Sequence, residues 1–441
     1  MLRTTTYPHI AVVGSGPAGC YTAQFILRQF PESAITVFDR LVTPFGLVRY
    51  GVAPDHQGTK AVTRQFDRLF QNGQLAFAGN VNIGTDITLD TLRISFDVVI
   101  LATGLWQDRR LGIPGDRLPG VHGSGEVTRL INGHPSDSAQ PVTFRDKAVI
   151  VGHGNVSIDL VRFLTKTSAQ YAGSDLADDV LHCMRPAPLQ DVHLVGRSLP
   201  LDAKFDPGMV RELAEQPQLR FACDPHMLVS AQREIDHAIA AGKLLAKEAV
   251  RRIEALAFLS ALERPDATST VHFHFGMRPT SVLGTEQVGG IECTVINSGE
   301  TLRFETSHVI TAIGFEHESP GTELDPESHA HSDLESGRIA PGLYCVGWLR
   351  RGPRGTIPEN RKDAQLVAGS VITDISTGLL TLGKPGYSAV TTQLAQPPVE
   401  FPGWLRVNQV ETNRAGASRT RHKIRDRAEI LHHARTPLSP A

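Results

Sequence analysis

Along the chain, short apolar runs alternate with longer stretches in which apolar residues recur at helical spacing. Ile10-Ala11-Val12-Val13 is the first such run. Glycines follow, then Pro17 to Phe30, which predicts a helix, then a second apolar run from Ala34 to Phe38. Strand, helix and strand in that order make a βαβ unit. Residues 97–103 (DVVILAT) predict another buried strand, closed by Gly104. The pattern then restarts. Residues 147–151 (KAVIV) predict a strand, Gly152 to Asn155 a glycine turn, Val156 to Leu164 a helix and 191–195 (DVHLV) the next strand. Two well-separated βαβ units indicate a duplicated architecture rather than a short-period repeat.

Further on, 232–262 reads as helical, long enough for one helix or two. Residues 271–275 (VHFHF) and 291–296 (IECTVI) read as strands of a meander. The segment 308–313 (HVITAI) ends in Gly314 and resembles 97–104. Leu343 to Val346 predicts a strand, and Pro358 to Ile375 a helix. The last 55 or so residues are rich in Pro, Gly and Arg and read as an extended tail.

Composition narrows the class. The chain has 441 residues, enough for two or three domains. Hydrophobic residues make up 41% and charged residues 20%, which excludes a disordered or collagen-like chain. Lys+Arg is 44 against 46 Asp+Glu, so bulk charge points to neither nucleic acid nor membrane. The five cysteines, at 20, 183, 223, 293 and 345, are far apart in sequence. That spacing excludes a CxxC pair, a cysteine-rich zinc motif and a local iron–sulfur motif. It also makes no disulfide framework, so a reducing, cytoplasmic location is expected. The N-terminal apolar run is short and broken by Gly14, unlike a signal peptide. No run approaches the ~18 apolar residues of a membrane helix.

Candidate chemistry sits at the two glycine turns. Gly14-Ser15-Gly16-Pro17-Ala18-Gly19 is G-x-G-x-x-G between a strand and a helix. The first glycine permits the tight turn, the second admits a pyrophosphate, and the third lets helix and strand pack closely. The helix N-terminus offers free N–H groups to the phosphates. Asp39, at the end of the next strand, is placed to accept ribose hydroxyls. The second turn, Gly152-His153-Gly154-Asn155-Val156-Ser157, has serine at the third position. Its following strand ends at Arg197 rather than at an acid. An arginine pairs with a 2′-phosphate that a carboxylate would repel, which favours NADP over NAD. Two dinucleotide sites suggest a flavin–nicotinamide pair, in which a two-electron hydride donor meets a flavin that can release electrons singly. Thr356-Ile357-Pro358-Glu359 is a capping box opening the helix at 358, whose positive end would suit a reduced flavin.

These motifs resemble the adrenodoxin reductase-like ferredoxin–NADP reductases, over about residues 8–375. The most specific part is 44–56 (PFGLVRYGVAPDH). Val13 to Gly19, Ala102-Thr103-Gly104, Gly152 to Val156, Gly347 to Pro353 and Gly355-Thr356-Ile357 support it. The resemblance implies an α/β fold of two Rossmann-like domains, with the NADP domain inserted into the FAD domain as in glutathione reductase-like proteins. The FAD domain would comprise 1–106 and 308–441, and the NADP domain 107–307. FAD would sit on Gly14, Gly16, Ala18, Gly19, Asp39, Leu47, Gly347, Trp348, Gly355, Thr356 and Ile357. NADP would sit on Gly154, Asn155, Val156, Arg197, Ser198 and Gly355. His56 and Glu212 match family positions near nicotinamide and flavin, with a positioning and charge-tuning role. The family usually has two adjacent arginines for the 2′-phosphate. Here Ser198 takes the second place and supplies no charge.

The expected partner is an acidic ferredoxin, and the expected state a monomer. Lys243, Lys247 and Arg251 recur every four residues, with Arg252 beside them, as one basic helix face. Arg350, Arg351 and Arg354 form a second basic cluster. A third runs through the C-terminal residues Arg414, Arg419, Arg421, Lys423, Arg425 and Arg427. The competing readings are an electron-input subunit of a larger flavoprotein complex, a non-catalytic FAD/NADP sensor, and a disulfide reductase, for which no thiol pair is visible.

Overall fold

The first apolar run becomes a central strand. In the computed structural model, which describes residues 7–135, 142–243, 246–318, 321–330 and 332–436, His9–Val13 lies between Ala34–Asp39 and Val98–Leu101, parallel to both. The full sheet runs Arg338–Ala340, Leu343–Cys345, Val98–Leu101, His9–Val13, Ala34–Asp39, Ala76–Gly79. Only the first pair is antiparallel. A second sheet, parallel throughout, runs Val121–Gly123, Val309–Thr311, Lys147–Val151, Asp191–Val195, Ser269–His274, Leu219–Cys223. The central strands His9–Val13, Val98–Leu101 and Lys147–Val151 are buried on both faces and read as apolar runs, whereas Ser269–His274 alternates in burial. On the first sheet the helix Pro17–Gln29 packs against the helix Ile357–Ser376. On the second, an antiparallel meander of Met277–Leu283, Gly290–Val295 and Thr301–Glu305 seals one face. There Val282, Ile291 and Cys293 pack against Val149, Val151 and Val195.

The chain crosses between the two lobes twice, and the crossings pair with each other. Gln107–Asp108 runs antiparallel to Phe315–Glu316. Val309–Thr311 precedes the second crossing and hydrogen-bonds only within the second sheet. The return to the first lobe therefore falls a few residues beyond the expected boundary at 307/308. Its apolar run ends at a glycine, as in 97–104, because it occupies the equivalent position beside its lobe's glycine-turn strand.

Three other expectations are corrected. Ser269–His274 is no meander strand, being held parallel between Asp191–Val195 and Leu219–Cys223. The helical stretch breaks at Ala241-Gly242 into Pro225–Ala240 and Lys247–Ser260, so Lys243 shares no helix with Lys247 and Arg251. Arg252 faces inward and donates to the carbonyls of Phe205 and Leu201. The C-terminal segment is not extended. It forms the helices Tyr387–Thr391, Phe401–Asn413 and Arg427–Arg435. Phe401, Trp404 and Val407 recur at helical spacing and join the first lobe's core, outweighing the local Pro and Gly content.

That C-terminal segment also ties the lobes together. Lys60 of the first lobe and Lys423 of the C-terminal segment both meet the buried Asp175 of the second, at 2.8 and 3.0 Å. The two ammonium groups, opposed by burial, hold the Asp175 carboxyl down at about 2.

Candidate active site

Both glycine turns open onto one cleft of about 1950 Å³ between the lobes. At the first turn Gly14 has φ +112°, and a Cβ there would stand 2.4 Å from the Ala102 carbonyl oxygen. Only glycine fits. Gly16 faces open space, as a position meant for a phosphate should. Asp39 Oδ2 accepts from the Ser15 N–H at 3.0 Å and from the Ser15 hydroxyl, and Oδ1 accepts from the Leu41 N–H at 2.9 Å. Asp39 thus holds the turn as well as lining the cleft, with lone pairs left for a ribose. Burial raises its carboxyl above the ordinary value, against those hydrogen bonds.

The 44–56 run covers this turn. The Phe45 N–H donates to Ser15 Oγ at 3.0 Å, and Phe45 takes a left-handed φ of +82°. The run then forms the short helix Gly46–Tyr50, and Leu47 lines the cleft. Across from it the helix Ile357–Ser376 begins with the expected capping box. The Thr356 N–H and hydroxyl both donate to Glu359 Oε2, at 2.9 and 2.7 Å. Gly355, Thr356 and Ile357 line the cleft, as does Trp348, whose ring stacks on Phe315 of the crossing strand at 5.6 Å.

Gly19 and Gly347, read as cofactor-binding, do not line the cleft. A Cβ on Gly19 would stand 2.2 Å from the Gly14 carbonyl oxygen, and one on Gly347 would stand 2.6 Å from Ala18 Cβ. They let strand, helix and loop close up behind the cleft wall, which Ala18 lines.

The second turn repeats the first with different chemistry behind it. Gly152 has φ +135°, and a Cβ there would stand 2.2 Å from the Ala312 carbonyl oxygen. Gly154 faces open space and caps the helix Asn155–Thr165. Asn155 Oδ1 accepts from the Asp206 N–H at 2.6 Å. Gly154, Asn155, Val156, Arg197 and Ser198 all line the cleft. Arg197 is exposed, with no ion pair to any described residue, and Ser198 Oγ lies 3.3 Å from His153 Nδ1.

Where the lobes meet, charged side chains from both interleave. Asp55 Oδ2 accepts from Arg162 and Lys166, each at 2.6 Å. Arg162 also reaches Glu212 Oε2 at 3.3 Å. His56 sits between carboxylates, with Nδ1 3.7 Å from Asp159 Oδ1 and Nε2 3.6 Å from Glu212 Oε2. Both distances are too long for direct hydrogen bonds. Burial, aided by Arg162, lowers His56 to about 4, so its ring is neutral. Burial, reinforced by Asp55 and Glu212 and opposed by Arg162, pushes Asp159 up to about 7. Burial also raises Glu212. The structure thus brings His56 and Glu212 together as expected. It adds Asp159 and Arg162, which the sequence reading missed. Their signal was the stripe of Asn155, Asp159, Arg162 and Lys166 at helical spacing along a mostly apolar stretch.

Arg278 is a third missed residue. The Met277 N–H donates to the Gly196 carbonyl at 2.9 Å, and the Gly276 N–H to the Ser198 carbonyl at 3.1 Å. This pairing sets Arg278 beside Arg197, exposed and lining the same cleft. It lies some eighty residues away in sequence, so no local motif could reveal it.

The cleft fits two dinucleotides. Its volume is about twice the upper range of ordinary small-molecule pockets. Around its wall Thr103 Oγ1, Trp348 Nε1, Arg351 Nε, His56 Nε2 and Asp159 Oδ1 are buried without a hydrogen-bond partner. Such atoms are costly unless a ligand or water meets them. None of the five cysteines, all free, lines the cleft, so it holds no disulfide chemistry.

Known proteins share this arrangement. The family model described as pyridine nucleotide-disulphide oxidoreductase matches residues 8–214. Cindoxin reductase of Citrobacter braakii is 41% identical over 437 residues, spanning 97% of this chain and 91% of that protein. The mitochondrial NADPH:adrenodoxin oxidoreductase of Mus musculus is 31% identical, over 96% of this chain and 91% of its own. The structure of Mycobacterium tuberculosis FprA in complex with NADPH matches with a TM-score of 0.87 and 30% identity, over 97% of this chain and 99% of that one. The chain belongs to the adrenodoxin reductase-like ferredoxin–NADP reductase family. It is an oxidoreductase of FAD and NADP(H).

The basic clusters of this reductase are mostly spent internally. Arg350 is held by the buried Asp363 and by the Leu334 carbonyl. Arg351 donates to Asn360 Oδ1 at 2.8 Å. In the C-terminal segment Arg414 pairs with Glu429, Arg419 with Asp178, Arg421 with Glu411, Lys423 with Asp175 and Arg425 with Asp179. Arg427 donates to Asn80. Exposed cations remain at Arg110 and Arg354 on the cleft rim, and at Lys247 and Arg251 farther off. Among the described residues, no helix is long and apolar enough to cross a membrane.

Proposed function

We propose that this reductase takes a hydride from NADPH onto FAD and delivers the electrons singly to an acidic ferredoxin. The carrying observation is that two glycine turns, one backed by Asp39 and the other by Arg197, open onto a single cleft. When bound, NADPH supplies the hydride and FAD supplies a two-electron acceptor that returns electrons one at a time.

The chain's part is to bind, orient and screen. Gly14, Gly16 and the N-terminus of Pro17–Gln29 hold the FAD pyrophosphate, with Asp39 on the ribose. Gly154, Asn155 and Val156 hold the NADP pyrophosphate at the N-terminus of Asn155–Thr165. Arg197 and Arg278 together hold the 2′-phosphate, so Arg278 restores the charge that Ser198 lacks. The positive end of Ile357–Ser376 points at the cleft and favours negative charge there. Neutral His56, with Asp159 and Glu212, positions the nicotinamide against the flavin. No side chain needs to move a proton in the direct hydride step.

The FAD domain then comprises the residues up to 106 and those beyond Gly314, and the NADP domain those between. The protein acts as a monomer in the cytoplasm. Its partner docks by charge over Arg110 and Arg354 at the rim. An anaerobic titration of the purified yellow protein with NADPH, with NADH in parallel, tests the reading. Bleaching of the flavin by NADPH, followed by reduction of an added ferredoxin, is the expected result. Flavin that stays oxidised under excess NADPH would sink it.

A further inference from the structure

Away from the cleft, three histidines share one face of the second sheet. His272 and His274 stand two apart on Ser269–His274, so both project to the same side. His193, on Asp191–Val195, is the register partner of His272. One ring nitrogen from each lies within 4.8 Å of the other two. His193 Nδ1 and His274 Nε2 are 3.0 Å apart. Asp191 Oδ1 lies 3.1 Å from His272 Nε2. None of these four residues lines the cofactor cleft.

From this geometry we propose that His193, His272 and His274 form a binding site for a divalent transition metal, with zinc as its probe. Two histidines in a His-x-His strand and a third from its neighbour bring three imidazoles together, with His272 stacked on His193 at 4.3 Å between ring centroids, so that the rings turn to converge on one ion. Zinc takes ligands of that kind at ~2.0–2.1 Å, which sets tetrahedral ligand pairs about 3.3 Å apart. The closest pair, at 3.0 Å, is now at hydrogen-bond distance and opens by a few tenths of an ångström as the ion replaces the shared proton. The widest reaches that spacing by ring rotation, for which the partly exposed side chains have room. Asp191 accepting from His272 Nε2–H fixes the tautomer and leaves the Nδ1 lone pair free, the usual carboxylate–histidine–metal relay. A fourth position is left for water, as in three-ligand zinc sites. Imidazole ligands also suit copper(II) and nickel(II), so selectivity rests on which metal is available.

Phe304 of the meander packs against His193 and His274, at 5.3 and 4.8 Å between ring centroids, and holds them from the far side. A bound ion would join the two strands that lead into Gly196–Arg197 and Gly276–Met277. It would thus stiffen the 2′-phosphate end of the NADP domain.

The test is equilibrium dialysis of the tag-free, flavin-loaded protein against zinc alone. One zinc ion per chain at low micromolar free zinc is expected. The double variant His272→Gln/His274→Gln should lose it while keeping flavin and NADPH bleaching, which report that the fold survives. Asp191→Asn leaves all three ligands and should weaken zinc by about 10- to 100-fold. That effect distinguishes a metal relay from mere ring packing, and it stands if the double variant fails to fold. No zinc taken up, uptake unchanged in the double variant, or Asp191→Asn with native affinity would each overturn the proposal. None of these results bears on whether NADPH reduces the flavin.

Discussion

The two glycine turns are near copies in backbone and opposites in setting. Each has its first glycine at a large positive φ, jammed against a carbonyl oxygen of the neighbouring strand. Each leaves its second glycine bare toward the cleft. The first is then locked. Asp39 is buried behind it, Ser15 is tied to Asp39 and Phe45, and the 44–56 run lies over it. The second is held only at its side, where the Lys204 N–H donates to the His153 carbonyl at 2.7 Å and the Asp206 N–H to Asn155 Oδ1 at 2.6 Å, and Arg197 at the end of the next strand stays exposed. One backbone solution therefore serves both a cofactor that stays and a coenzyme that must come and go. What surrounds the turn decides which.

The sharpest way to break that pairing is at the first glycines. Gly14→Val places a side chain against the Ala102 carbonyl at a φ that valine does not adopt. The purified variant should be colourless, with flavin absorbance lost. Gly152→Val meets the same clash at Ala312. It should stay yellow yet fail to bleach with NADPH. Loss of flavin from both variants would mean that the turns are not separate sites. The lock can also be loosened from behind. Arg49, within the covering run, is paired at 2.6 Å with the fully buried Glu411 of the helix Phe401–Asn413. Glu411→Gln leaves a buried guanidinium without its counter-charge, which costs about 3–5 kcal/mol. Thermal unfolding should come earlier, and flavin should dissociate on dilution.

A smaller effect is expected at the open turn. A charge-assisted hydrogen bond is worth about 1.5–3 kcal/mol, so Arg197→Ala should raise the KM for NADPH about tenfold to a hundredfold. Arg278→Ala should raise it by a lesser factor. Neither should alter the KM for NADH, which has no 2′-phosphate. Ser198→Arg should move coenzyme preference further toward NADPH. If Arg278→Ala weakens both coenzymes equally, Arg278 holds the strand rather than the phosphate.

What the sequence made legible follows from the same contrast. Residues 147–151 are legible as a strand because a parallel strand covered on both faces is an apolar run, and 191–195 is legible from Val192, Leu194 and Val195 although Asp191 and His193 interrupt it. The glycine turns were readable because their chemistry is local. The 44–56 run was recognisable by resemblance, and the structure supplies its reason by folding it over Gly16. Long-range pairing was not legible. Arg278 comes to the Arg197 side of the cleft only through backbone hydrogen bonds of 276–277 to 196–198, and Arg419, Lys423 and Arg425 looked free because their acidic partners, Asp178, Asp175 and Asp179, lie far back in the chain. Lys243 was misjudged for a local reason. A four-residue spacing was begun at Lys243, which lies past the helix ending at Ala240 and before the one that starts at Lys247.

The finest test lies where the two turns face each other. His56 comes from the covering run and Asp159 from the helix of the second turn, and their titrations are displaced in opposite senses. Lowered to about 4, His56 stays neutral throughout the working range and should contribute no inflection between pH 5.5 and 8. Asp159, raised to about 7, changes charge within that range. Above pH 7 its carboxylate stabilises positive charge on a neighbouring nicotinamide, so hydride donation should quicken severalfold as pH rises through 7. The linked stability has the opposite sign. Between the ordinary Asp value near 4 and 7 the native state holds a proton that the unfolded chain has released, so Asp159's contribution declines as pH rises across that window. Stopped-flow bleaching by NADPH against pH reads the first effect, and urea unfolding the second. Asp159→Asn should flatten the step in rate, whereas His56→Gln should lower the rate and leave the step in place. A step that vanishes in His56→Gln and persists in Asp159→Asn would assign the titration to the histidine, and with it the control of the cleft to the first turn rather than the second.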